Sequence, residues 1–247
     1  MAGDKRTAVV IGGASGMGRE SAILFAVNGY DIVCADIDKQ KLDETVSEIL
    51  KNGGNAYGVA ADITDVDDIK RMAETIREKS GTINVLINAA GILGGIDNLL
   101  DFDEKALDLI LNVNLKGTYL SCKYLIPVME KHNNSIIINI SSQSGKIGQA
   151  GVAVYAAAKW GVIGFTKSLD LELRKDGIKV AVINPGSTKS PFHDKREARL
   201  PGELLDKFLE PSDIARACLY MAEQPSNCFA RELDIIPMGE TMEVKID

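Results

Sequence analysis

Tyr155 and Lys159 stand four residues apart in YAAAK (155–159). On a helix that spacing puts both on one face. A phenol beside an ammonium can handle a proton. Tyrosine ordinarily titrates near about 10, too high for a base at neutral pH, and a neighbouring cation favours the phenolate and lowers that value. Ser141 and Ser142 stand together at the end of the apolar run 135–141. A hydroxyl there can hold a substrate oxygen and stabilise charge developing on it. The chemistry so assembled is exchange of a hydroxyl proton while a hydride moves to or from a carrier. Spacing alone leaves blander readings open: a helix-surface pair for Tyr155 and Lys159, and a strand end for Ser141 and Ser142.

A carrier site is legible at the other end of the chain. GGASGMG (12–18) follows the apolar run TAVVI and opens a helical pattern, with Gly12, Gly16 and Gly18 spaced G-x3-G-x-G. Small residues let the backbone approach a pyrophosphate at the positively polarised start of a helix. Eighteen residues beyond Gly18, Asp36 ends a second apolar run. A carboxylate there can accept hydrogen bonds from ribose hydroxyls and repel a 2′-phosphate, which favours NAD over NADP. Asp36 and Asp38 both precede a helical stretch, so helix capping competes for them; one can cap while the other binds.

These groups need elements to position them. Strand-like runs cover 7–11, 31–36, 55–62, 83–88, 135–141, 178–184 and 232–237. Helical periodicity covers 17–28, 38–51, 65–79, 103–131, 153–175 and 211–223. The alternation predicts a single-domain, Rossmann-like, doubly wound α/β fold over residues 1–247, with a seven-stranded, mainly parallel sheet and helices on both faces. The strands are near-continuously apolar, as a sheet covered on both sides requires. An irregular, charged stretch at about 187–210 reads as a substrate-binding lid.

Seven signatures in order, GGASGMG, DI (62–63), NAAG (88–91), NVNLKG (112–117), NISS (139–142), YAAAK and NPG (184–186), resemble those of the short-chain dehydrogenase/reductase family, single-domain type of about 250 residues. The resemblance implies a catalytic group of Asn114, Ser142, Tyr155 and Lys159, with Lys159 also reaching the nicotinamide ribose and Asn114 supporting a proton-relay water. It implies a cofactor cradle of Gly12, Ser15, Gly16, Met17, Gly18, Asp36, Ile37, Asp62, Ile63, Asn88, Ala89, Gly91, Pro185, Gly186 and Thr188, joined by Tyr155 and Lys159. Substrate contacts fall to Ser142, Gln143, Gln149 and Tyr155, and the family implies a homo-oligomer, tetramer or dimer. Two positions depart from the pattern: Ile11 stands where a threonine is usual, and ELDIIPMGETMEVKID replaces a glycine-rich C-terminal segment.

Composition narrows the partners. A net charge of −7 disfavours nucleic acid and anionic membrane surfaces. No apolar run approaches the ~20 residues of a membrane span, the N-terminal run is too short for a secretory leader, and a cytoplasmic location is the expectation. The four scattered cysteines and two histidines show no metal-binding spacing. The reaction expected is NAD(H)-dependent interconversion of a secondary alcohol and a ketone. Reduction of a 3-oxoacyl thioester and a non-catalytic NAD(H)-binding regulator are the alternatives. Within the lid, Lys195, Arg196 and Arg199 either grip an anionic substrate or form a solvated charged surface.

Overall fold

Successive residues of β1 (Thr7–Ile11) face opposite sides of the sheet and meet two separate cores. Ala8 and Val10 pack with Phe25, Ile32 and Met221, while Val9 and Ile11 pack with Ile69, Met72 and Leu125. This alternation along an unbroken apolar run is what a strand covered on both faces needs. The computed structural model describes residues 6–132, 134–189 and 206–238. The substrate-lid expectation, with Lys195, Arg196 and Arg199, lies mostly outside the described residues, as does the chain after Met238.

The remaining strands are β2 (Asp31–Asp36), β3 (Asn55–Ala60), β4 (Val85–Asn88), β5 (Ser135–Ile140), β6 (Ile178–Pro185) and β7 (Glu232–Ile235). They form one seven-stranded sheet in the order β3-β2-β1-β4-β5-β6-β7, and every neighbouring pair is parallel. Seven strands with helices on both faces are what the hydrophobic rhythm predicts. The helices α1 (Gly16–Val27), α2 (Lys39–Lys51) and α7 (Pro211–Ala222) cover one face. On the other lie α3 (Val66–Ser80), α5 (Gly117–Leu125) and α6 (Ala153–Leu173). The strand order reverses direction between β1 and β4, and the crevice beyond their carboxyl ends is where open α/β sheets bind ligands.

The periodic stretch 103–131 is not one helix. It divides into α4 (Glu104–Leu111), a π-helical turn (Asn112–Lys116), α5 and a short 3₁₀ turn (Ile126–Val128). Pro127, with no N–H to donate, ends the α-helical ladder. The π turn inserts one extra residue into the spiral and carries Asn114, which the periodicity of side chains does not reveal. β3, β4 and β7 are each shorter than their apolar runs. β3 is also half-exposed, as suits a strand at the edge of the sheet.

Gly18 shows how tightly the first turn is wound. A Cβ at this position would lie 2.0 Å from the Gly12 carbonyl oxygen, so α1 rests directly on the backbone of the loop before it. Gly18→Ala must push α1 off that loop. We expect a stability loss of about 1–3 kcal/mol, the usual cost of overpacking a close backbone contact. Thermal denaturation checks this, and an unchanged midpoint would mean that the loop and helix are not in contact.

Candidate active site

Helix α6 presents Tyr155 and Lys159 one turn apart, and both side chains are buried. Ser142, in extended backbone just beyond β5, heads a 3₁₀ turn (Gln143–Gly145); its Oγ accepts the Ser144 N–H at 3.1 Å and is hydrogen-bonded to the Tyr155 hydroxyl. Lys159 Nζ donates to the Ile140 carbonyl at 3.0 Å and sits 5.6 Å from the centroid of the Tyr155 ring. The main-chain carbonyl of the same lysine accepts a 2.9 Å bond from Ser141 Oγ. Lys159 is therefore anchored at both ends to the terminus of β5, and the Ser141 anchor is a role the sequence reading does not assign.

Burial governs the electrostatics. Desolvation pushes Tyr155 up to about 12, with the bond to Ser142 acting in the opposite direction. Desolvation likewise pushes Lys159 down to about 8. The sequence reading expects Lys159 to lower the phenol; instead burial raises it, and the bond to Ser142 is what acts to lower it. Ile110, Val152, Val154 and Ala158 form the apolar wall around Tyr155, and it disfavours both charged forms.

Asn114 is fully buried, and its side chain is committed to backbone. Its Nδ2 donates to the carbonyls of Ile92 (2.8 Å) and Ile110 (3.0 Å), and its Oδ1 accepts the Ile92 N–H at 3.2 Å. It thus clamps the segment after β4 to the π turn. A Cβ on Gly91 would fall 2.8 Å from Asn114 Oδ1 and 3.4 Å from Lys159 Nζ. That gap is open only to glycine, and it joins the polar cluster to the neighbouring cavity.

That cavity, of about 370 Å³, lies at the switch point and is lined by Gly12, Ser15, Gly16, Met17, Asp36, Ile37, Asp62, Ile63, Ala89 and Gly91 among the residues singled out from sequence. Ala61, Ala90, Ile92, Leu109 and Val113 complete it. The first three adjoin the recognised motifs, whereas Leu109 and Val113 arrive from α4 and the π turn with no local signal. Gly18 lies behind the cavity wall. Asn88 donates from Nδ2 to Asn139 Oδ1 (2.8 Å) and Cys122 Sγ (3.3 Å) inside the sheet, away from the cavity. Pro185 is the last residue of β6, and Gly186 and Thr188 lie just past it, where the Gly186 N–H donates to Ile235 O at 2.7 Å. Asp38 caps α2 by accepting the Lys41 N–H, leaving Asp36 at the cavity with its two oxygens receiving the N–H groups of Ala14 (3.1 Å) and Asp38 (3.0 Å). Gln143 Nε2 donates to Asn184 O (3.2 Å), and Gln149 Oε1 accepts from Ser144 Oγ (3.0 Å).

The short chain dehydrogenase family model matches residues 6–200. The chain belongs to this family. An uncharacterized oxidoreductase of Bacillus subtilis (strain 168), YxbG, is 34% identical across 97% of this chain and 92% of its own length. A 3-oxoacyl-(acyl-carrier-protein) reductase of Thermotoga maritima, FabG, is 35% identical across 90% of this chain and 92% of its own. Among solved structures, an actinorhodin polyketide ketoreductase with NADPH is 28% identical, with a TM-score of 0.87 over 95% of this chain and 97% of that one. The protein is a short-chain dehydrogenase/reductase, an oxidoreductase that uses a nicotinamide cofactor.

The residues present fit that cofactor. Ser15 makes no side-chain cap to α1 and no acidic residue lies in its first turn, so the N–H groups there are open to an anionic pyrophosphate. A Cβ at Gly12, whose φ is +83°, would strike Ala90 N at 2.6 Å, so the two loops that floor the cavity meet backbone to backbone. Among the described residues no helix is long and apolar enough to cross a membrane, and no group of three or more His, Cys, Asp or Glu side chains could hold a metal.

Lys159 makes a stability prediction with a definite sign. Its value falls from 10.5 to about 8 on folding, so below pH 8 the fold carries a penalty of about 3 kcal/mol. Between pH 8 and 10.5 the unfolded chain holds the extra proton, and stability from this source rises with pH. Lys159→Met removes the penalty and also the bond to Ile140, worth about 1 kcal/mol. Urea denaturation should therefore find the variant more stable at pH 7 by about 1–2 kcal/mol, with the advantage gone by pH 10.5. A pH-independent difference would show that Lys159 is not desolvated.

Proposed function

We propose that the protein interconverts a secondary alcohol and a ketone with NAD(H), with Tyr155 as general acid and base. The observation that carries this reading is the Tyr155–Ser142 hydrogen bond beside Lys159, at the edge of the dinucleotide cavity. The nicotinamide ring, when bound, supplies the hydride donor or acceptor. Ser142 Oγ holds the substrate oxygen, and the Tyr155 hydroxyl gives that oxygen a proton in reduction or takes it in oxidation. With Tyr155 near about 12, the neutral phenol is the form present at pH 7, ready to donate. Lys159 faces the same ring and biases it toward the phenolate when oxidation calls for a base.

NAD is the cofactor we propose, because Asp36 lines the cavity with its carboxylate held in place by two backbone donors. A 2′-phosphate beside that carboxylate would be repelled, and the following residue, Ile37, is exposed and apolar, offering no compensating charge. A second reading, NADPH-dependent reduction of a 3-oxoacyl thioester, is supported by the likeness to the Thermotoga maritima reductase and to the NADPH-bound ketoreductase. The same proposal includes a homo-oligomer, for which exposed Tyr119, Trp160 and Leu171 on α5 and α6 provide apolar surface.

A panel of secondary alcohols, ketones and 3-oxoacyl thioesters, followed by NAD(P)H absorbance, tests the reaction directly. The expected result is turnover of alcohol and ketone that Tyr155→Phe reduces at least about 100-fold while dinucleotide binding persists. Retained turnover in that variant would remove Tyr155 as the acid and base, and failure across the whole panel would remove the proposed reaction. Asp36→Ser should shift the NAD/NADP ratio of kcat/KM toward NADP by about tenfold or more, the effect of withdrawing one unfavourable charge contact of about 1.4 kcal/mol. An unchanged ratio would place cofactor choice elsewhere.

A further inference from the structure

The C-terminal strand is wired to the turn that follows Ser142. Asn184 and Asp234 are register partners in β6 and β7, and Glu232 lies two residues before Asp234, so all three project from one face of the sheet. That is the face against which α6 packs. Asn184 Nδ2 donates to Glu232 Oε1 at 3.1 Å and to Asp234 Oδ1 at 2.8 Å. Lys146, one residue beyond the 3₁₀ turn that begins after Ser142, reaches the same two carboxylates, 2.6 Å from Asp234 Oδ2 and 3.2 Å from Glu232 Oε1. Lys167 of α6 closes the other side at 2.9 Å from Glu232 Oε2. The turn's first residue, Gln143, donates to the main-chain oxygen of Asn184.

These bonds form a closed ring: Gln143 to Asn184, Asn184 to the paired carboxylates, the carboxylates to Lys146, and the turn itself from 146 back to 143. The turn has little freedom on its inner side either, since a Cβ on Gly145 would lie 2.7 Å from Ser141 Oγ and 2.9 Å from the Lys159 carbonyl oxygen. Asn184 is fully buried, so the ring is anchored in the sheet. An isolated exposed ion pair would contribute little. Here two carboxylates on neighbouring same-face positions repel one another, and two lysines from different elements hold them together.

We infer that Lys146, Glu232 and Asp234 act as positioning residues, clamping the Ser142 turn so that Ser142 Oγ stays in line with the Tyr155 hydroxyl. The clamp also gives Gln143 a holding role, its side-chain N–H being spent on the backbone of β6. This inference rests on the proposed roles of Ser142 and Tyr155.

The test compares the full chain with Lys146→Met, which keeps the aliphatic stem, and Lys146→Arg, which keeps the charge. Hydrogen exchange read by mass spectrometry should show peptide 141–150 of the methionine variant exchanging about tenfold faster, with β1 and β4 unchanged. With a substrate found active above, kcat should fall about tenfold, the cost of a small misalignment, while KM for NAD(H) stays within about twofold. Arginine should restore both readouts. Unchanged exchange in Lys146→Met would overturn the clamp, and faster exchange with unchanged kcat would overturn its positioning role. If wild-type protein turns over nothing, the proposed reaction fails by itself, and the exchange measurement still decides whether the clamp exists.

Discussion

A lysine side chain buried without a counter-charge is the central physical constraint of the candidate site. Among the described residues no carboxylate forms an ion pair with Lys159, and its Nζ donates to the main-chain carbonyl of Ile140. An arrangement of that kind costs the fold stability, because a buried cation without a counter-charge is pushed toward its neutral form. Everything near it serves to hold it: Ser141 bonds its carbonyl, Ile140 bonds its Nζ, and Gly91 leaves the space beside it. A carboxylate placed there would stabilise the fold and neutralise the charge that the proposed mechanism uses to bias Tyr155. Tension between stability and activity is common where a site requires an unsatisfied charge.

The sheet makes this possible by bringing loops together at one edge. Reversal of strand order between β1 and β4 opens a crevice, and the loops after β1, β2, β3 and β4 line it. The loops after β5 and β6 extend the same edge toward Ser142 and Gly186. The proposed catalytic and cofactor residues thus share one rim while the two apolar cores lie below it. Buried polar groups inside the sheet have different work. Asn88, Asn139 and Thr166 form a hydrogen-bonded ladder across β4, β5 and α6, where the alternative would be unpaired amides in an apolar core.

Family membership constrains the reaction class and leaves the substrate to the site. The relatives include a reductase of acyl-carrier-protein thioesters and a polyketide ketoreductase with NADPH. Against that background Asp36 is the residue that distinguishes the present proposal. Its two backbone bonds leave it little freedom to swing away from a ribose, so its charge remains at the cavity wall.

Much of this was legible in the one-dimensional sequence because it depends on local periodicity and on rare residue types at fixed intervals. Unbroken apolar runs spelled out a sheet covered on both faces, glycines marked the close approach at the first turn, and the four-residue interval put Tyr155 and Lys159 on one helical face. Long-range contacts were not legible in this way. The π turn that aims Asn114 at Ile92, the arrival of Leu109 and Val113 at the cavity, and the ring joining Lys146 to Glu232 and Asp234 all pair residues whose separation carries no periodic signal. The electrostatic balance at Tyr155 was decided there too. Sequence shows the neighbouring lysine, but it does not show the burial that raises the phenol, to which Ile110 is added only once α4 has packed against α6.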